Sequence, residues 1–194
     1  IEEAPELTQR NDTVRWIVQS NVAGSLPVYA AGLHGEGQII GHVDGSINVS
    51  HCSFIDSVNP VGPLHRKVLN LNGTSGYDPH GTHTAGTAAG DANSDTTNTR
   101  GVAYLAKLVH LGIPALSESG GFNAFTTLHG EGGRLHTNSW GNDGTTAYDG
   151  LCRGIDNFAY QNEDSLVLFA VTNTTTLKNP ENAKNLMAVG ATGD

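Results

Sequence analysis

The sequence predicts an α/β fold, a parallel doubly wound sheet flanked by helices, and three observations carry that prediction. Short, near-continuously apolar runs recur along the chain with turn residues between them, and segments of helical character separate the runs. A strand buried on both faces has no polar side to present. An unbroken apolar run, rather than an alternating one, therefore marks a parallel sheet covered by helices. Composition agrees: 25 glycines and few aromatic residues among 194 suit short strands and close backbone packing better than a helical bundle.

In chain order, a helix is expected over about residues 12–22, then a first strand in GQIIGHVD, ending at Asp44. His80 opens a glycine- and alanine-rich helix over about residues 81–89, and AKLVHLGI reads as the second strand. GGFNAFTTLHG is a further helix candidate, RLHTNSWG the third strand, and residues 151–161 a helix. SLVLFAVTN, with Asn173 at its end, is the fourth strand and NLMAVGAT the fifth. Strand and helix alternate, and right-handed crossovers then gather functional residues at the C-terminal ends of the strands.

The length suits one domain or a piece of a larger one. Ten basic against nineteen acidic residues give a formal charge of −9, which argues against a phosphate-tracking surface, so nucleic acid is not an expected partner. No apolar run reaches the length of a membrane span, so no membrane partner is expected either. The opening IEEAPELTQRND has neither a start methionine nor a signal-peptide pattern and reads as a processed or trimmed product. Cys52 and Cys152 form no CxxC, which removes zinc-ribbon and thioredoxin readings. A disulfide between them and two buried free thiols both stay open.

Three polar residues stand where a site is expected. Asp44 and Asn173 end strands, and His80 begins a helix, so the doubly wound rule lets all three converge on one crevice. In DPHGTHTAGTAAG, His80 and His83 share a helix side, which a metal site also requires. That reading lacks a third protein ligand, and the metalloprotease pattern needs a spacing of four with a glutamate beside the first histidine. Gly81, Thr82, Ala85, Gly86 and Ala89 are instead read as small residues that let the helix pack closely on the sheet.

GQIIGHVDGSIN, HGTHTAGTAAG, HTNSWG, FAVTN and AKNLMAVGAT occur in the order and approximate spacing of the subtilisin-like serine peptidases, and from about residue 11 onward the chain resembles this subtilase family. The resemblance implies a serine endopeptidase acting on polypeptides, with Asp44 as triad acid, His80 as general base and Asn173 as side-chain donor of the oxyanion hole. A serine hydroxyl needs a neutral imidazole to take its proton and a carboxylate to fix the tautomer. The positive end of a helix starting at His80 favours that neutral form, and His83 is expected to support the site from the same helix. The resemblance also implies that peptide substrate binds as an added strand between SGGF (Ser119, Gly120, Gly121) and SWG (Ser139, Trp140, Gly141). It implies no cofactor for the chemistry. A structural calcium ion would suit Asp91, Asn93, Asp95 and Asn98, a set equally typical of a solvated loop. A secreted or extracytoplasmic location is implied as well.

The family nucleophile lies in a Gly-Thr-Ser-x-Ala turn downstream of the oxyanion asparagine, beyond Asp194. Gly73-Thr74-Ser75 precedes the His80 helix and starts no helix of its own, so Ser75 is read as a loop residue. The chain is thus expected to be the N-terminal part of a single subtilisin-like catalytic domain, inactive alone and completed by a downstream segment or second chain that carries the serine. Gly45, Thr172 and Thr174 depart from the family pattern and motivate the alternative, a catalytically deficient subtilase-like module for protein binding or structure.

Overall fold

The structure, a computed structural model, describes residues 11–73, 76–92 and 99–191. Its elements run α1 (Asn11–Ser20), α2 (Pro27–Ala30), β1 (Ile39–Asp44), β2 (Val68–Asn72), α3 (Pro79–Ala89), β3 (Lys107–Gly112), α4 (Glu118–Gly130), β4 (Leu135–Asn138), α5 (Gly150–Gln161), β5 (Leu166–Ala170) and β6 (Met187–Val189). The six strands form one parallel sheet in the order β2-β3-β1-β4-β5-β6. The order reverses around β1, so the crevice beyond the C-terminal ends of the strands lies at that strand.

Helices cover both faces. On one, Phe125 and Leu128 of α4 and Leu151, Ile155 and Phe158 of α5 meet Val43, Val109, Val167 and Phe169 of the sheet. On the other, Ala85 and Ala89 of α3 pack with Ile40, Val68, Leu108 and Phe54. β1 is buried at every position after its first, which is why its sequence is apolar without alternation.

Small residues set how closely the layers approach. A methyl group on Gly81 of α3 would overlap the carbonyl oxygen of Gly45, just beyond β1. A methyl on Gly154 of α5 would likewise overlap the carbonyl of Glu118 in α4. The expected close packing of the His80 helix is therefore real, with Gly81, Thr82, Ala85 and Ala89 all buried.

Two elements lie outside the sequence expectation. β2 reads VLNLN, alternating rather than continuous, because it is an edge strand whose residues beyond Val68 are only partly covered or exposed. The four-residue α2 is too short to show a helical period.

Candidate active site

Strand parity selects the residues that face α3. In β1, Ile40, His42 and Asp44 are two apart and share a face. In β3, Leu108 and His110 do the same, and the parallel register sets His42 beside His110. Asp44 ends its strand almost fully buried, 2% exposed.

α3 brings His80 to that carboxylate. Asp78 is the N-cap: its carboxylate accepts from the backbone N–H groups of His80 at 2.7 Å and Gly81 at 3.1 Å, and Pro79 fills the first turn where no N–H is needed. His80 Nδ1 then lies 2.7 Å from Asp44 Oδ1. A carboxylate only accepts, so Nδ1 is the donor in this bond. The His80 side chain is 56% exposed against 3% for that of Asp44, so the imidazole faces solvent while the carboxylate is held inside. The N–H of Gly45 also donates to Asp44 Oδ1, at 2.7 Å.

Gly45, which departs from the family pattern, has a local reason. A methyl there would run into the Asp78 carboxylate, so glycine at 45 and the cap at 78 belong together. Replacing Asp78 by Ala is expected to lower stability by about 1 kcal/mol through the lost cap, read as a shift in the urea midpoint at constant slope. An unchanged midpoint would show the cap to be idle.

Three further residues extend inward from the acid, and the sequence reading did not single them out. Thr84 Oγ1 lies 3.1 Å from Asp44 Oδ2 and 2.9 Å from His42 Nε2, and His42 Nδ1 lies 2.8 Å from His110 Nδ1. Burial pushes both imidazoles down, His42 to about 3 and His110 to about 4, so both are neutral near pH 7. Their signal in the sequence is a lone histidine inside each of two apolar runs, GHVD and LVHLG. His136 of β4 is a third buried imidazole, pushed by burial to about 4. It lies on the opposite face, edge-on to Phe125 and Phe158.

His83 was expected to support the site from the same helix. It is an exposed residue of α3, and the hydroxyl that reaches the Asp44 carboxylate is that of Thr84, one full turn after His80. The metal reading gains nothing: among the described residues no group of three His, Cys, Asp or Glu side chains is placed to hold an ion.

Asn173 is exposed three residues beyond β5. In the sheet, Val43 pairs with Asn138 and Asn138 with Phe169, so the ends of β1 and β5 lie level, two strand spacings or roughly 10 Å apart. The loop carrying Asn173 is closed by Glu181, a buried residue the sequence reading missed, whose Oε1 accepts from the N–H groups of Thr172 and Lys178 at 3.2 and 3.0 Å. The Thr172 hydroxyl donates to Asp143 Oδ1 at 2.7 Å, tying this loop to the one after β4.

Of the two expected peptide-binding segments, Ser139, Trp140 and Gly141 leave the C-terminal end of β4 without regular structure. The Trp140 ring packs edge-on against Phe169 at 5.0 Å, and Gly141 beside it is exposed. Ser119, Gly120 and Gly121 are different: they lie in the first turns of α4, where Ser117 caps the helix by accepting from the Gly120 N–H. A helix cannot add a strand. The two glycines serve packing, since a methyl on Gly120 would overlap the carbonyl of Ala115 and one on Gly121 would press on Leu151.

In the acidic loop, Asp91 is paired with Arg100 at 2.9 Å, while Asn93, Asp95 and Asn98 lie outside the described residues, as does Ser75. Cys52 and Cys152 are both free thiols, the first exposed and the second buried. Cys152 donates to Asn182 Oδ1 at 3.1 Å, so of the two open readings neither holds in full: there is no disulfide, and only one thiol is buried. No described helix is long and apolar enough to cross a membrane.

The fold and site define a doubly wound parallel α/β protein with a buried aspartate at the switch strand, hydrogen-bonded to a histidine at a helix start. The chain belongs to the subtilase family, whose model matches residues 35–194. Similar curated proteins include two from Dictyostelium discoideum, the serine protease/ABC transporter B family proteins tagA (27% identical over 95% of this chain) and tagD (33% over 82%). The chain spans only 12% and 10% of their lengths. Among solved structures, the prenylagaramide maturation protease PagA matches with a TM-score of 0.65 at 18% identity, over 89% of this chain and 60% of that one. The nisin leader peptidase NisP of Lactococcus lactis matches with a TM-score of 0.60 at 15% identity, over 92% of this chain and 61% of that one. At such identities these two likenesses establish the fold.

Proposed function

We propose that the chain supplies the acid and base of a subtilisin-type serine endopeptidase, with the nucleophile on a segment outside these 194 residues. The observation that carries the reading is the 2.7 Å bond from His80 Nδ1 to the buried Asp44. With Nδ1–H engaged, Nε2 takes the serine proton as the serine oxygen bonds to the scissile carbonyl carbon. The carbonyl electron pair moves to its oxygen, where the Asn173 amide donates to it. Collapse returns that pair and breaks the C–N bond as His80 gives its proton to the departing amine. Water then repeats the sequence on the acyl-enzyme and restores the serine. Asp44 holds the imidazole in one tautomer and stabilises the imidazolium that forms in each half.

Peptide substrate lies as an added strand along residues 139–141. On its other side we assign residues 113–116, the non-helical chain between β3 and the Ser117 cap, in place of the helical Ser119, Gly120 and Gly121. The scheme uses no cofactor. Family membership supports a secreted or extracytoplasmic setting.

A fluorophosphonate probe tests the reading on the full-length protein. A covalent adduct on a serine outside this chain, lost on denaturation before labelling, is the expected result. A folded protein that never labels would instead support the subtilase-like binding module. Thr172, bonded to Asp143, and Thr174 are the departures that still favour that alternative, since the packing of Asp78 accounts for Gly45.

A further inference from the structure

The second oxygen of Asp44 begins a buried chain of hydrogen bonds whose directions are fixed by chemistry. A carboxylate cannot donate, so the Thr84 hydroxyl donates to Asp44 Oδ2 across 3.1 Å. The same hydroxyl lies 3.2 Å from the carbonyls of His80 and Gly81, but its single proton favours the ionised acceptor. Thr84 Oγ1 is then free to accept, and His42 Nε2 stands 2.9 Å away as N–H donor. A neutral imidazole protonated on Nε2 leaves Nδ1 bare, so His110 must donate its Nδ1–H across the 2.8 Å gap. His110 Nε2 ends the chain as a buried acceptor without a partner.

The opposite assignment fails at both ends. It would point a hydroxyl lone pair at the carboxylate and leave His110 with a buried, unpaired N–H, which folded proteins almost never tolerate. Every bond therefore runs toward Asp44, and both imidazoles are essentially inaccessible to water, at 1% and 0% exposure.

We propose that Thr84, His42 and His110 are positioning residues that grip the free oxygen of Asp44 and so fix the plane in which its other oxygen holds His80. This rests on the reading of Asp44 and His80 as acid and base. Thr84 works through Asp44, sits one turn after His80 on the same side of α3, and ties the helix carrying the base to the strand carrying the acid. His42 and His110 lock the rotor of that hydroxyl, which would otherwise turn to the helix carbonyls beside it.

The test uses the full-length protein. Thr84→Val removes the hydroxyl at nearly constant volume. It is expected to lower kcat by about tenfold to a hundredfold, the equivalent of one hydrogen bond to a charged group, with KM unchanged. Thr84→Ser should restore most of the rate. A merely structural threonine would lower the melting temperature and leave kcat within twofold, and that outcome overturns the proposal. Nitrogen-15 spectra of the unsubstituted protein at pH 7 give a second test that needs neither a variant nor turnover. His42 is expected as the Nε2–H tautomer and His110 as the Nδ1–H tautomer, and the reverse for either also overturns it. A wild-type protein that cleaves no peptide would sink the peptidase reading alone, and the tautomers would still judge the hydrogen-bond chain.

Discussion

Replacing His80 by Ala in the full-length protein is expected to lower kcat on a peptide substrate by about 10,000-fold or more. The reason is geometric. In the proposed mechanism His80 Nε2 takes the serine proton, and the Asp44 carboxylate lies behind the ring, 2% exposed and bonded to Nδ1. Stability should change little, because the side chain is largely exposed and the α3 cap is made by Asp78 with backbone N–H groups. Steady-state kinetics and a thermal melt measured together decide the matter. Undiminished turnover in a folded variant would remove His80 from the mechanism.

The second large effect is loss of stability in mild acid. His42, His110 and His136 are held by burial at about 3, 4 and 4, while in the unfolded chain each titrates near 6.5. Between these limits the unfolded chain binds protons that the folded one refuses, so the fold weakens as pH falls. The stability is whole above about pH 7, begins to drop near 6.5 and is largely spent by about pH 4. Each histidine contributes on the order of 1 kcal/mol per pH unit across that window. Against a total stability of roughly 5–15 kcal/mol, three such groups should bring unfolding into the range of about pH 4–5. Melting temperatures recorded from pH 7.5 down to 4.5 should fall steadily. His136→Phe, which keeps a ring between Phe125 and Phe158, should flatten the slope, and a melting temperature constant over the range would contradict the account.

Much of this architecture was legible because burial writes itself into the sequence. Continuous apolar runs located β1, β3 and β5, and the small residues after His80 located a helix pressed against backbone. That Asp44 and His80 meet followed from strand order and a helix start. What stayed hidden depended on contacts between distant segments. The resemblance assigns SGGF to an extended peptide-binding segment although GGFNAFTTLHG is also a helix candidate, and Gly120 and Gly121 are glycine because the carbonyl of Ala115 and the side chain of Leu151 crowd them. β2 was lost because its outer positions are not covered. His83 looked like the supporting partner at a spacing of three, whereas the residue at a spacing of four, Thr84, is the one that reaches the acid. The two strand histidines acquire meaning only once the register of β1 against β3 sets them side by side.

The links from Asp44 to His110 also bear on how this sequence can drift. An apolar residue in place of Thr84 strands the His42 Nε2–H, and one in place of His42 strands the His110 donor, each at a buried position. One in place of His110 leaves His42 Nδ1 as a bare acceptor, the condition that His110 Nε2 already occupies. The chain can therefore be shortened from its inner end, His110 first, whereas opening it beside Asp44 leaves a buried donor without an acceptor.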